Sequence, residues 1–233
     1  MATSVTGQLT GHDLLKLDSR GVKGELIRGV LCQHAITPRP WDSPSTEYPG
    51  LLTAEEFHRI SQDGKRRELI AGTLFDTAPL DAEHLNAASN LESLLRRHVL
   101  SHRLGQIRTA STGVRTKRYP DTIRTPHILF VPASTPPSNL GPKKYIDSTP
   151  AWVCEIITPE DYQCAVFDKT EMWLSLGVKT VVEVYPAEKA VMVHRQRKPF
   201  VTLTENAALH GGDTIPGLKI QLNEIFNTQR SQG

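Results

Sequence analysis

The spacing of apolar positions changes several times along this chain, and each change predicts an element. From His84 onward, Leu85, Ala88, Leu91, Leu94 and Leu95 recur at helical spacing, with Arg96 and Arg97 near the end of the stretch. Strand-like runs at Gln106–Val114, Ile128–Val131 and Trp152–Ile157 predict strands, and the Pro-rich stretch Ala133–Pro142 predicts a loop. Lys169 opens a second helical stretch that ends at Leu176, closed by Gly177. Thr180–Tyr185 and Ala190–His194 read as a hairpin turning at Pro186–Lys189, and a short helix is predicted around Leu222–Phe226. Helices and strands in this order predict an α/β (α+β) fold, a mixed central sheet flanked by helices. The core domain is expected over 51–227, with a disordered tail over 228–233.

The N-terminal fifth of the chain shares a pattern with the segment after it. Leu9-Thr10, Gly21 and Glu25-Leu26-Ile27 recur at a constant offset as Leu52-Thr53, Gly64 and Glu68-Leu69-Ile70. Each copy reads as a helix capped by its Thr, a turn at the Gly, and a short strand carrying the Glu. Two copies are too few for a solenoid, so this is a local duplication. The first copy and the Pro- and Ser-rich linker after it occupy 1–50, and the copy is expected to pack on the domain edge or on a second subunit of a homodimer.

One position breaks the apolar pattern. Glu155 sits inside the run Ala151–Ile157, and a carboxylate there is costly to bury unless a metal ion or a cationic side chain compensates it. Lys169, on the next helix, can return to Glu155. A carboxylate and a lysine facing one metal and one water form a hydrolytic site; the same pair could equally be a plain salt bridge.

Composition narrows the class. With 38% hydrophobic and 22% charged residues the sequence suits a soluble globular domain, and no apolar stretch approaches membrane-spanning length. Cys32, Cys154 and Cys164 are odd in number and lack a CxxC pair, which argues against a disulfide framework and fits a reducing cytoplasm. A net charge of +2 says little, but its distribution says more. Arg96, Arg97, Arg103, Arg108, Arg115, Lys117, Arg118 and Arg124 are opposed within their stretch only by Asp121. They could line a phosphate backbone, with affinity that falls steeply with salt, or form a solvated face that binds nothing.

Thr53-Ala-Glu-Glu-Phe, Glu68-Leu-Ile-Ala-Gly, His84, Glu155-Ile-Ile-Thr-Pro, Lys169 and Gly177-Val178 together resemble the Uma-two type putative restriction endonucleases of the PD-(D/E)XK nuclease superfamily. The likeness runs from about Leu52 to Phe226. It implies a restriction-endonuclease-like core and divalent-metal-dependent cleavage of DNA. By this resemblance Glu68 is the first acidic residue and Glu155 the carboxylate of the (D/E)XK element. The strict motif has its lysine where this chain has Ile157; the family places it on the following helix, which matches Lys169.

The chain departs from the family at the PD element. The position aligned to the aspartate is His127, after Pro126, while a literal Pro120-Asp121 lies upstream and reads as a loop. The resemblance thus implies Glu68, His127 and Glu155 as metal ligands, Lys169 as the residue managing the attacking water, and Arg96, Arg97, Arg115, Lys117, Arg118 and Arg124 as phosphate contacts. Glu25, His84 and Asp121 are secondary candidates; for His84, a local hydrogen bond at a helix start is the competing reading. An imidazole in place of a carboxylate removes a negative charge, shifting the expected metal from Mg²⁺ towards Mn²⁺ or Co²⁺. Two functions are compatible with this pattern: an endonuclease impaired by His127, or a catalytically degenerate nuclease fold that binds nucleic acid or a protein partner.

Overall fold

The computed structural model describes residues 24–27, 30–33, 50–60, 66–77, 79–109, 111–136, 145–161, 163–204 and 206–227. Most of the N-terminal copy, the linker, part of the Pro-rich loop and the expected tail lie outside them. Of that copy, β1 (Gly24–Ile27) pairs antiparallel with β2 (Val30–Gln33), placing Glu25 opposite Cys32.

The centre is a six-stranded mixed sheet in the order β13-β12-β11-β10-β8-β5. Its members are β5 (Gly105–Thr109), β8 (Ile128–Pro132), β10 (Trp152–Ile156), β11 (Thr180–Tyr185), β12 (Ala190–Arg195) and β13 (Lys198–Thr204). Only β10 and β11 run parallel, joined by the crossover helix α3 (Gln163–Ser175). β11 and β12 form the hairpin expected over Pro186–Lys189, and Lys189 takes a positive φ in that turn. A smaller five-stranded sheet, β4-β3-β7-β6-β9, contains β3 (Arg67–Ile70), β4 (Thr73–Asp76), β6 (Gly113–Lys117), β7 (Thr122–Arg124) and β9 (Tyr145–Ile146). The expected strand Gln106–Val114 is therefore two strands in two sheets, divided around Ser111-Thr112. Outside both sheets, β14 (Ala208–His210) pairs with β15 (Lys219–Gln221).

Side-chain alternation sorts the central sheet into two faces. Ile128, Phe130, Trp152, Cys154, Ile156, Val182 and Val184 pack beneath α2 (Ala82–Ser101) and the short α4 (Leu222–Phe226). Leu129, Val131, Val153 and Val181 pack on the other face against Trp173 of α3. Each such side chain, fully buried, contributes roughly 1.5–3 kcal/mol. His127, Leu129, Val153 and Glu155 share this second face, so the polar site is built into the layer that α3 covers.

The helices differ in detail from expectation. α2 starts two residues before His84, capped by Asp81, whose carboxylate accepts from the His84 N–H at 2.9 Å. Its buried stripe is His84, Ala87, Leu91, Leu95 and Val99, whereas Leu85 is 52% exposed. The stripe is rotated from the expected one because His84 takes an inward position. α3 begins at Gln163, which puts Lys169 in mid-helix. α1 (Ala54–Ile60) starts as the repeat predicts: Thr53 and Glu56 bond reciprocally, with the Thr53 N–H donating to Glu56 Oε2 at 2.7 Å. β2 of the N-terminal copy lies against α3. Among the described residues no helix is long and apolar enough to cross a membrane.

Gly105 opens β5 where β8 passes close by, and a Cβ on it would collide with the Val131 carbonyl. The obstacle is backbone and cannot rotate away. Gly105→Ala is expected to destabilise the fold by more than the roughly 1 kcal/mol of an ordinary glycine change, measured as a lower urea midpoint.

Candidate active site

The site forms where the chain steps from the small sheet to the large one. Between β7 and β8 only Thr125, Pro126 and His127 intervene. The Thr125 N–H donates to Glu68 Oε1 at 2.9 Å, and its hydroxyl donates to the Arg67 carbonyl at 2.7 Å. These bonds tie β3, and with it Glu68, to the start of β8. The β8–β10 register pairs Ile128 with Cys154, so the next step outward sets His127 beside Glu155 on one face.

Three elements and the β7–β8 step thus bring Glu68, Glu155, Lys169 and His127 to one cleft of about 320 Å³, which Arg66 and Arg124 also line. Lys169 Nζ stands 2.9 Å from Glu155 Oε1 and 3.2 Å from Glu68 Oε1, bridging the carboxylates. Trp173, one turn along α3, donates its indole N–H to Glu155 Oε1 at 3.1 Å. Its sequence context suggests packing alone; it packs and also holds the carboxylate. Glu155 Oε2 lies 3.1 Å from His127 Nδ1 and 3.6 Å from an Arg66 terminal nitrogen. Arg124 Nε lies 3.4 Å from Glu68 Oε2. Arg66 carries no sequence signal of its own, being one of two adjacent arginines before Glu68.

Burial works against ionising Glu155, but Lys169, His127 and Arg66 more than offset it and hold its pKa well below the usual carboxylate range. Burial opposes Glu68 likewise, and Lys169, Arg124 and Arg66 keep it ionised. His127 moves the other way. Burial, helped by the Arg66 charge, pushes its pKa down to about 4, so the ring is neutral at pH 7. Its Nδ1 faces two partners at 3.1 Å, the Ile156 N–H and Glu155 Oε2. A neutral ring serves one of them: with its proton on Nδ1 it donates to Glu155 Oε2, in line with the lowered pKa of that carboxylate, and its lone pair lies on Nε2, which is buried without a partner.

These residues fit a divalent ion in kind. Two carboxylates and a neutral imidazole make a mixed oxygen and nitrogen set, better matched to Mn²⁺ or Co²⁺ than to Mg²⁺. The set is not laid open, however. Among the described residues no three His, Cys, Asp or Glu are grouped to hold an ion, and each oxygen of Glu68 and Glu155 has a cation or an N–H beside it.

The other sequence candidates fall elsewhere. Asp121 accepts from the Ala54 N–H at 2.8 Å, at the start of α1, and does not line the cleft. His84 makes the local bond, its Nδ1 2.6 Å from Asp81 Oδ1. The basic stretch is not one surface. Arg96 and Arg97 ride on α2, across the sheet from Glu155, with Arg96 bonded to Glu92 at 2.6 Å. Arg115 is largely buried and donates to Asp147 at 2.6 Å, Arg118 reaches the same carboxylate at 3.3 Å, and Lys117 is exposed. Of the six arginines and lysines expected to contact phosphate, Arg124 alone lines the cleft. Linear clustering misleads here because α2, β6 and β7 face different ways.

The Uma2 family model, described as putative restriction endonuclease, matches residues 54–223, a span containing every residue of the cleft. The fold is similar to the crystal structure of a putative nuclease belonging to DUF820 from Anabaena variabilis. The TM-score is 0.63 at 19% identity, covering 75% of this chain and 97% of that one. No curated protein matches the chain.

Because the folded pKa of His127 lies below that of an unfolded histidine, the unfolded chain binds the extra proton between about pH 6.5 and about pH 4. Stability therefore falls as pH drops through that window; the Glu155 contribution, present above an ordinary carboxylate pKa, is lost only at lower pH. Urea titrations at pH 7 and pH 4.5 should show wild type losing on the order of 2 kcal/mol more than His127→Asn. Equal losses would mean that His127 is not buried neutral.

Proposed function

The chain belongs to the Uma2 family of putative restriction endonucleases, and from that premise we propose that it acts on DNA at this cleft as a divalent-metal-dependent endonuclease impaired by His127. The observation that carries the reading is the convergence of Glu68, Glu155 and Lys169 from three elements, and of His127 from the step between β7 and β8. Glu68, Glu155 and His127 would hold the ion, which when bound supplies Lewis acidity and a more acidic water. Lys169 contributes a positive charge between the carboxylates, where it can orient a water and offset charge building on the phosphate oxygens. Trp173 fixes Glu155 Oε1, and His127 Nδ1 against Glu155 Oε2 sets the ring so that Nε2 would be its ligating atom. Arg66 and Arg124 at the cleft attract the phosphodiester.

A second reading, a nuclease fold that binds DNA without cutting it, draws on the charge of the same site. Arg66, Arg124 and Lys169 bring three cations to the buried Glu68–Glu155 pair, while Asp76 and Asp161 also line the cleft. Plasmid nicking in Mg²⁺, Mn²⁺ and Co²⁺ separates the two. The endonuclease reading expects slow nicking, faster with Mn²⁺ or Co²⁺ than with Mg²⁺, and abolished by Glu155→Ala. His127→Asp restores a hard anionic ligand and should raise Mg²⁺-supported nicking by more than about tenfold. No nicking by either protein with any of the three metals would leave the binding reading.

A further inference from the structure

Arg66 and Arg124 are placed as no settled ion pair would place them. A terminal nitrogen of Arg66 lies 3.6 Å from Glu155 Oε2 while its Nε is buried without a hydrogen-bond partner, and the buried Arg124 Nε lies 3.4 Å from Glu68 Oε2 without making a hydrogen bond to it. One Arg66 terminal nitrogen donates to the Thr125 carbonyl, so the arm is aligned over the cleft rather than free in solvent. Both side chains are 19% exposed, so they can be reached from the cleft. A buried guanidinium N–H left unbonded costs free energy that a tetrahedral oxyanion would recover, in the forked geometry arginine favours. The same two arms lie over the carboxylate oxygens that a divalent ion would need.

We infer that Arg66 and Arg124 are a phosphate-responsive latch, which stands in for the divalent ion in the free protein and releases the carboxylates when a DNA backbone phosphate draws the guanidinium groups away. This rests on the proposed reading that DNA enters this cleft. Without DNA, a divalent cation meets carboxylates already paired with Arg66, Arg124 and Lys169, so its ligands are covered. A phosphate supplies negative charge and a better partner for each arm, so DNA and metal bind cooperatively. By linkage, the metal must tighten DNA binding by the same factor as DNA tightens metal binding. Lys169, bridging both carboxylates, stays in place in either state.

The test measures binding rather than turnover. Mn²⁺ binding to the full chain is followed by loss of the free-ion electron paramagnetic resonance signal, with and without a short DNA duplex, correcting for Mn²⁺ bound by the duplex alone. The latch predicts that Mn²⁺ affinity rises at least tenfold on adding DNA, and that DNA affinity, by fluorescence anisotropy, rises by the same factor on adding Mn²⁺. In Arg66→Gln/Arg124→Gln, Mn²⁺ should bind the DNA-free protein more tightly than it binds wild type, and the coupling should shrink towards onefold. Should that variant fail to fold, the reciprocal coupling in wild type decides alone. Equal Mn²⁺ affinity with and without DNA, no Mn²⁺ binding in either state, or undiminished coupling in a folded double variant would overturn the latch. Failure of wild type to bind the duplex at low salt would instead remove the proposed function beneath it.

Discussion

Everything at this site depends on keeping Glu155 ionised in the middle of a buried strand. An unpaired carboxylate at that depth would cost several kcal/mol, and no single surface contact could offset it. Four groups from three directions hold it: Lys169 and Trp173 from α3, His127 from the start of β8, and Arg66 from the approach to β3. Hydrophobic burial assembles the layers, but this carboxylate determines how they are set against one another.

The constraint acts through register. Lys169 and Trp173 reach the same oxygen because they stand one turn apart on α3, and Trp173 is at once a fully buried core residue and a hydrogen-bond donor. His127 reaches the other oxygen because β8 and β10 pair with Ile128 opposite Cys154. Slipping that ladder by one residue would turn His127 to the α2 face and leave Glu155 short of a partner. The three-residue step from β7 to β8 brings Glu68 in through Thr125, so the small sheet is docked by the same polar network.

Much of this is legible in the sequence. The apolar run around Glu155 announces both the strand and its misfit, and the order of Glu68, Glu155 and Lys169 points to a shared site. The Thr53–Glu56 box is readable because capping is local. The features that escape such reading are three-dimensional. Arg66 is one of two adjacent arginines, and nothing in one dimension says that Arg67 turns to Asp76 while Arg66 turns to Glu155. The basic stretch looks continuous because linear density ignores that α2 and the cleft lie on opposite faces of one sheet. The break of Gln106–Val114 into two sheets is hidden because Ile107, Thr109, Thr112 and Val114 give both halves strand-forming β-branched residues.

The most direct measurement is a double-mutant cycle on stability with Glu155→Gln and Lys169→Met, read by urea unfolding at pH 7. If Lys169 compensates the buried charge, each single change leaves the other group uncompensated, and the double variant should recover part of that loss, with a coupling of about 1–3 kcal/mol. Additive effects, with no recovery in the double variant, would show that Glu155 does not depend on Lys169 and would contradict the account of how this site is held.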